Sequence, residues 1–423
     1  MNSKFRRRRG RAEYFHGRDE IMDTFDAVLE NYRSINEGST FLIKGPPGAG
    51  KTALLTKLSQ KALVADDPWA VAKIGVKDLY DPVSLAQALG KAYFIDAEIA
   101  IEVGIKVVAG KVVGHVAGLA TPTEILRHLT PETGLILVLD EAQRLRNIPN
   151  ESEIHVVAED TLDLIHNGDV GHPVMLLTAG LGTTESAYDS LGVSRFEDNC
   201  RIRLGSLDHQ STCAVIRDLI VAEGGVVKPP PSWVKDIAEH THGWPHHIIS
   251  YAGAAADHLV DINRMPTEED LQIVLAQGRV NQIDYYQTRA KGISKKDRQI
   301  LAQLFIDLPP DGTVDKEDIM FAFKEKYSVE DTCKFFENTL HRGILDERQD
   351  GDYGIPIPSL HAWLVDEYAR NKSQDIPQTS KQLSPMPDQI LLPSNKDDPS
   401  GVKKDKGDDE DKRKGKGGFS MER

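Results

Sequence analysis

The sequence predicts a parallel α/β core, followed by an all-helical unit and then a smaller unit of helices and a hairpin. Three observations lead there. From about Tyr14 to Leu207 short apolar runs alternate with helix-patterned segments; beyond Asp208 the pattern is helical alone; and from Ser294 three helical segments precede two short extended runs joined by an Asp-Gly turn.

The core runs are Thr40–Ile43, Ala70–Ile74, Leu135–Leu139, Pro173–Thr178 and Cys200–Leu204. They lack polar alternation, so each reads as a strand covered on both faces: a parallel five-stranded sheet inside an αβα sandwich. In the helical unit, Thr212–Ala222, Ser232–His240 and Glu268–Gln277 carry apolar residues at i, i+3, i+4 spacing, and Pro229-Pro230-Pro231 punctuates two of them. The third unit has helical segments at Lys295–Ile306, Lys316–Lys326 and Val329–Arg342. Gly343–Arg348, a turn at Gln349-Asp350-Gly351-Asp352, and Tyr353–Ile357 follow, which is the order of a winged helix. The expected organisation is a basic arm over 1–12, a core over 13–207, a helical lid over 208–291, a winged unit over 292–371 and a disordered charged tail over 372–423. Ile99, Ile101, Val103, Ile105 and Val107 alternate with less apolar residues, which suggests a hairpin or flap inserted over 97–120. It would serve either as a partner contact or as an extra sheet layer.

Composition narrows the class. The 423 residues are 40% hydrophobic and 27% charged, ordinary for a globular chain with a sizeable core. A net charge of -14 argues against coating nucleic acid or anionic membrane over the whole surface. Three scattered cysteines suit a reduced compartment without a disulfide frame. The start MNSKFRRRRGR lacks an apolar secretory core, and the stretch Ala97–Ala120 is broken by charges, so a cytoplasmic protein without a membrane span is expected.

The chemistry is concentrated in Gly45-Pro46-Pro47-Gly48-Ala49-Gly50-Lys51-Thr52, a full match to the phosphate-binding loop, set between a strand-like run and a helical one. Its glycines let successive N–H groups turn inward onto phosphate oxygens, and the following helix adds its positive N-terminal pole. Lys51 is expected to reach the β- and γ-phosphates of ATP, and the Thr52 hydroxyl to ligate Mg²⁺. Leu135-Ile136-Leu137-Val138-Leu139-Asp140-Glu141 supplies the second half: Asp140 to hold Mg²⁺ and Glu141 to polarise the attacking water. Thr178, at the end of the next run, reads either as a contact to that water or the γ-phosphate, or as a strand-end cap.

These residues, in this order, resemble the AAA+ ATPases, and within them the branch of archaeal origin-recognition and STAND signalling ATPases. Phe15-His16-Gly17-Arg18-Asp19-Glu20 is similar to the family's segment beside the adenine, which implies a cofactor contact for Arg18. Gly243-Trp244-Pro245 resembles the STAND G-x-P motif, implying that Pro245 packs by the base. The lid arginine of origin-recognition ATPases has no match, because Pro245 and His246 stand in its neighbourhood. Arg195 stands where the family carries its arginine finger, which implies a homo-oligomer; alternatively it pairs with Glu197 or Asp198. The resemblance implies an ATPase switch controlling a separate effector or complex. The alternative is a DNA-binding ATPase of replication or transposition.

Other features carry two readings each. Lys4, Arg6–Arg9 and Arg11 form either a solvated tail or an arm for nucleic acid. The third helix of the winged unit mixes Glu330, Asp331, Lys334, Glu337 and Arg342, which suits protein contact or autoinhibitory packing better than a DNA groove. His240, His242, His246 and His247 lack the carboxylate or cysteine of a usual zinc set, so capping, core packing or adenine contact is expected of them.

Overall fold

The computed structural model describes residues 14–92, 107–108, 111–112, 121–224, 228–324, 326–348 and 351–374. The core sheet has strands β1 (Ser39–Lys44), β2 (Ala70–Ile74), β5 (Leu135–Asp140), β6 (Val174–Gly180) and β7 (Arg201–Arg203). They run parallel in the order β2-β5-β6-β1-β7. Each expected run holds a strand, with ends shifted by a residue or two. Cys200 belongs to a 3₁₀ turn instead of the last strand.

The missing polar alternation has a direct cause: side chains of period two are buried on both faces. Phe41, Ile43, Ile136, Val138, Met175 and Leu177 pack under α1 (Asp19–Ile35) and α2 (Lys51–Leu63). Leu42, Leu135, Leu137, Leu139 and Leu176 face the other way, onto α3 (Pro82–Ala92), α4 (Pro122–Leu129) and α5 (Glu153–His166). A short helix, α6 (Thr184–Asp189), follows β6. In the inserted stretch, β3 (Val107–Val108) pairs antiparallel with β4 (Lys111–Val112); the rest of 97–120, the basic arm, and the tail from 375 on lie outside the described residues.

The helical unit comprises α7 (His209–Glu223), α8 (Pro231–Thr241), α9 (Pro245–Ile262) and α10 (Glu268–Ala290). Pro245 at the first helical position starts α9, and a Thr267–Asp270 capping box starts α10. Helix α10 runs well past the expected Gln277. Gly278 and polar neighbours hide its continuation, yet Gly278 is where α10 lies against Tyr251: a Cβ there would fall 2.2 Å from the ring. His247 is buried with Nε2 2.9 Å from the Tyr286 hydroxyl, and burial lowers its pKa to about 3.

The C-terminal unit is α11 (Lys295–Phe305), β8 (Thr313–Val314), α12 (Lys316–Lys324), α13 (Val329–Arg342), β9 (Asp346–Glu347), β10 (Tyr353–Gly354) and α14 (Pro358–Gln374). Its sheet is antiparallel in the order β8-β10-β9. Two elements exceed the expectation. β8 is too short to leave a sequence pattern, and α14 crosses the expected boundary at 371. It is tied to α11 by a two-point Arg298–Glu367 pair at 2.9 and 3.1 Å. No helix among the described residues is long and apolar enough to cross a membrane.

Gly278→Ala tests the packing of α10. Alanine gains roughly 0.5–1 kcal/mol of helix propensity over glycine, but overpacking against Tyr251 costs about 1–3 kcal/mol. The variant is therefore expected to unfold at lower denaturant than the parent, as circular dichroism would read.

Candidate nucleotide site

The cleft lies at the C-terminal edge of the sheet, where open α/β folds place ligands. Gly48 and Gly50 adopt φ of 85° and 93°, a region that favours glycine, and so turn the loop into the first turn of α2 at Lys51. Lys51 Nζ donates to the carbonyls of Gly45 at 2.7 Å and Pro46 at 3.1 Å. Burial lowers its pKa to about 8; the charges of Glu141 and Asp140 oppose that shift, and Arg289 adds to it.

Thr52 Oγ1 donates to Asp140 Oδ2 at 2.7 Å, which joins the loop helix to the end of β5. Asp140 Oδ1 accepts from the Glu141 amide at 2.9 Å. Glu141 has φ 58°, a strained conformation for a non-glycine residue. Gln143, which the sequence reading passed over, holds it: Nε2 donates to Glu141 Oε2 at 2.6 Å while Oε1 accepts from the Leu181 amide at 3.2 Å. A buried glutamine two residues beyond an Asp-Glu pair is the signal that could have found it.

The helical unit closes one side. The His246 amide donates to the Gly48 carbonyl at 3.1 Å, and the Tyr285 hydroxyl to that of Pro47 at 2.6 Å. His246 stacks on Tyr285 with ring centroids 4.2 Å apart. Pro245 lies next to Gly50. Phe15, Leu204, Leu207, Val215 and Ile248 line an apolar end of the same cleft, where the Arg18 side chain donates to the Gly205 carbonyl. The whole cleft measures about 860 Å³, at the upper end of the range for small-molecule sites.

The C-terminal unit reaches this cleft as well. His341, in the last turn of α13, lies on its rim with Nδ1 3.2 Å from Arg146 Nη2. Gly343 abuts Pro47 so closely that a Cβ would fall 2.2 Å from its Cδ. Asp346 pairs with Arg203 at 2.6 Å; burial raises its carboxyl pKa, against the pull of that arginine.

Gly45, Pro46, Pro47, Gly48, Ala49, Gly50, Lys51, Thr52, Asp140, Glu141, Pro245 and Arg18 are thus gathered at one site or its walls. Two expected residues are not. Thr178 is fully buried with the Leu42–Leu139 face, beside Tyr188, and does not line the cleft; the parity of β6 turns it away from α2. Its reading as a water or phosphate contact is corrected accordingly. Arg195 is exposed and outside the cleft of its own chain, with its carbonyl engaged by His166; Asp198 pairs with Arg201 instead. Arg289 from α10 lines the cleft although no motif marks it.

No protein-family model and no curated protein matches the sequence. Among solved structures, the Aeropyrum pernix ORC2 protein in its ADP form is similar at 12% identity and a TM-score of 0.50, over 88% of this chain and 97% of that one. Its ADPNP-ADP complexes give 13%, a TM-score of 0.48, and coverage of 85% and 95%. Cdc6p from Pyrobaculum aerophilum gives 16%, 0.39, and coverage of 84% and 94%. The chain has the AAA+ α/β fold.

Lys51 also predicts a pH dependence. The unfolded chain holds this proton more tightly than the folded one, so the cost of burying the charge is fully present below about pH 8 and fades as the pH rises toward the ordinary lysine value. Lys51→Met is expected to raise the stability of the nucleotide-free protein at pH 7 by about 1–3 kcal/mol. That gain should shrink between pH 8 and 10.5 in parallel thermal melts.

Proposed function

We propose that this chain binds ATP with Mg²⁺ in the cleft and hydrolyses it to ADP and phosphate. The observation that carries the reading is the meeting of Lys51, the Thr52–Asp140 pair and Glu141 at one cleft. Thr52 Oγ1 and Asp140 Oδ2 are adjacent hard oxygen donors, a set that suits Mg²⁺. Bound there, the metal supplies charge neutralisation at the phosphate oxygens.

The chain's own groups do the rest. The loop amides and the N-terminus of α2 hold the phosphates, and Lys51 exchanges its two carbonyl partners for phosphate oxygens. Glu141 accepts a proton from the water whose oxygen attacks the γ-phosphorus. The bond from that phosphorus to the bridging oxygen of the β-phosphate breaks, releasing ADP and inorganic phosphate. Gln143 acts as a positioning residue by aiming Glu141. The apolar end receives the base beside Pro245 and Arg18.

The ORC2 likeness supports a DNA-acting output, as in replication or transposition, ahead of a STAND-like switch on a separate effector. The C-terminal unit has the element order of a winged helix, but α13 is of mixed charge: Lys334 pairs with Glu330 at 2.6 Å, and Asp331 and Glu337 share the helix with Arg342. Contact to phosphates therefore falls to other surfaces, with the basic arm as the first candidate. One observation favours the switch as a second reading: His341 and Gly343 of the C-terminal unit sit at the phosphate loop itself. In a cytoplasmic homo-oligomer, the exposed Arg195 would be offered to a neighbour's site.

Lys51→Ala is expected to abolish ATP binding in an equilibrium titration. Glu141→Gln should leave binding within about threefold while phosphate release falls by roughly 10²-fold or more; unchanged release would remove Glu141 from its role. Duplex DNA should be retarded in the presence of ATP, with an affinity that drops steeply as salt rises. No retardation with ATP at low salt would return the assignment to the switch.

A further inference from the structure

The first turn of the phosphate loop is closed by a hydrogen bond from the Ala49 amide to the Pro46 carbonyl at 3.2 Å. With proline at its second position and Gly48 at φ 85° in its third, Pro46-Pro47-Gly48-Ala49 has the signature of a type II turn. A type I turn uses the same four residues and the same closing bond, but its central peptide faces the other way and its third residue takes φ of about −90°. The two forms differ chiefly in which way the Pro47–Gly48 peptide points.

The Tyr285 hydroxyl of α10 is placed to select between them. It donates to the Pro47 carbonyl at 2.6 Å, and burial raises its pKa, which keeps it a donor. The ring is itself gripped: it stacks on His246 at 4.2 Å and meets His247 and Tyr286 edge-on at 5.5 and 5.9 Å. The Pro47 ring rests on Gly343 of the C-terminal unit, so the turn is held in place while its central peptide is steered by one bond. In a planar trans peptide the C=O and the following N–H point in opposite directions. Holding the Pro47 carbonyl on the lid side therefore turns the Gly48 N–H away from the lid, and that N–H has no acceptor among the described residues. Rotated to type I, the same peptide would set a carbonyl oxygen where this N–H stands, and a carbonyl oxygen repels an anion.

We propose that Tyr285 is a positioning residue for the phosphates: its hydroxyl fixes the Pro47–Gly48 peptide so that the Gly48 N–H faces the bound anion. The inference rests on the proposed reading of the cleft as an ATP site. It makes the phosphate nest a joint product of the loop and the lid.

The test is equilibrium titration of the full chain with fluorescent ADP, and with adenosine followed by its displacement of that probe. Tyr285→Phe keeps the ring and its stacking and removes only the donor. It is expected to weaken ADP by roughly 10-fold, the size of one lost hydrogen bond to a charged group, and to leave adenosine within about threefold. Tyr286→Phe removes the neighbouring hydroxyl, which bonds to His247 instead of the loop, and should leave both ligands within about threefold. Hydrogen exchange supplies the local readout: saturating ADP should slow the amides of residues 45–52 in the parent and in Tyr286→Phe, and slow them less in Tyr285→Phe. An unchanged ADP affinity in Tyr285→Phe overturns the inference. So do equal losses of ADP and adenosine, which would mark the hydroxyl as a fastener of the lid alone. If the unmodified chain binds no ADP, the ATP reading falls and takes this inference with it, whereas the other two outcomes leave that reading standing.

Discussion

The backbone carbonyls of Pro47 and Gly48 are the point on which the rest of the arrangement depends. Each accepts one hydrogen bond from the helical unit, from the Tyr285 hydroxyl and the His246 amide. Partly buried carbonyls of a glycine loop are best satisfied by donors, and here the donors come from a different unit of the chain. Gly48 cannot carry a side chain: its Cβ would fall 2.9 Å from His246 Cβ and 3.1 Å from the Trp244 indole nitrogen. Positive φ and close approach therefore demand glycine together. The loop's shape and the lid's position are a single constraint.

Charge balance follows from that closure. Covering the loop buries Lys51, which lowers the pKa of its amine, while Asp140 and Glu141 pull it back up. Both carboxylates are engaged already: Asp140 accepts from Thr52 and from the Glu141 amide, and Glu141 accepts from Gln143. Lys51 and these two carboxylates thus act on one another without forming a direct ion pair. A direct Lys51–carboxylate bridge would have stabilised the nucleotide-free form and weakened binding by the same free energy.

Much of this was legible in sequence, and the reasons for success and failure are physical. Local backbone demands leave local marks, so Gly45–Thr52 announced the loop and the unalternating runs announced strands buried on both faces. Thr178 failed for want of parity. A run that is apolar on both faces gives no clue to which face each residue takes, and only the register against Leu42 and Leu139 settles it. Arg289 left no pattern because its place at the cleft comes from another unit of the chain, and Gln143 because its second contact, the Leu181 amide, lies on a separate strand end. The extension of α10 was masked by Gly278, a residue that costs helix propensity and is kept where two helices come close.

The way the three units adhere also differs in kind, and this bears on which junction gives way. The helical and C-terminal units share apolar contact: Tyr286 meets Trp363 at 5.7 Å, and Ile293 at the joint is buried. Contact between the C-terminal unit and the core includes the polar pairs Arg203–Asp346 and Arg146–His341, with Gly343 resting on Pro47. Apolar burial is indifferent to charge, whereas a partly buried pair and an arginine–imidazole contact respond to every charge added nearby. His341 already has its pKa lowered by burial and by Arg146 and Arg342, with Glu141 opposing them. Phosphates entering the cleft would act on the same cluster. The junction of core and C-terminal unit is therefore the one on which a charge placed in the cleft would act most directly.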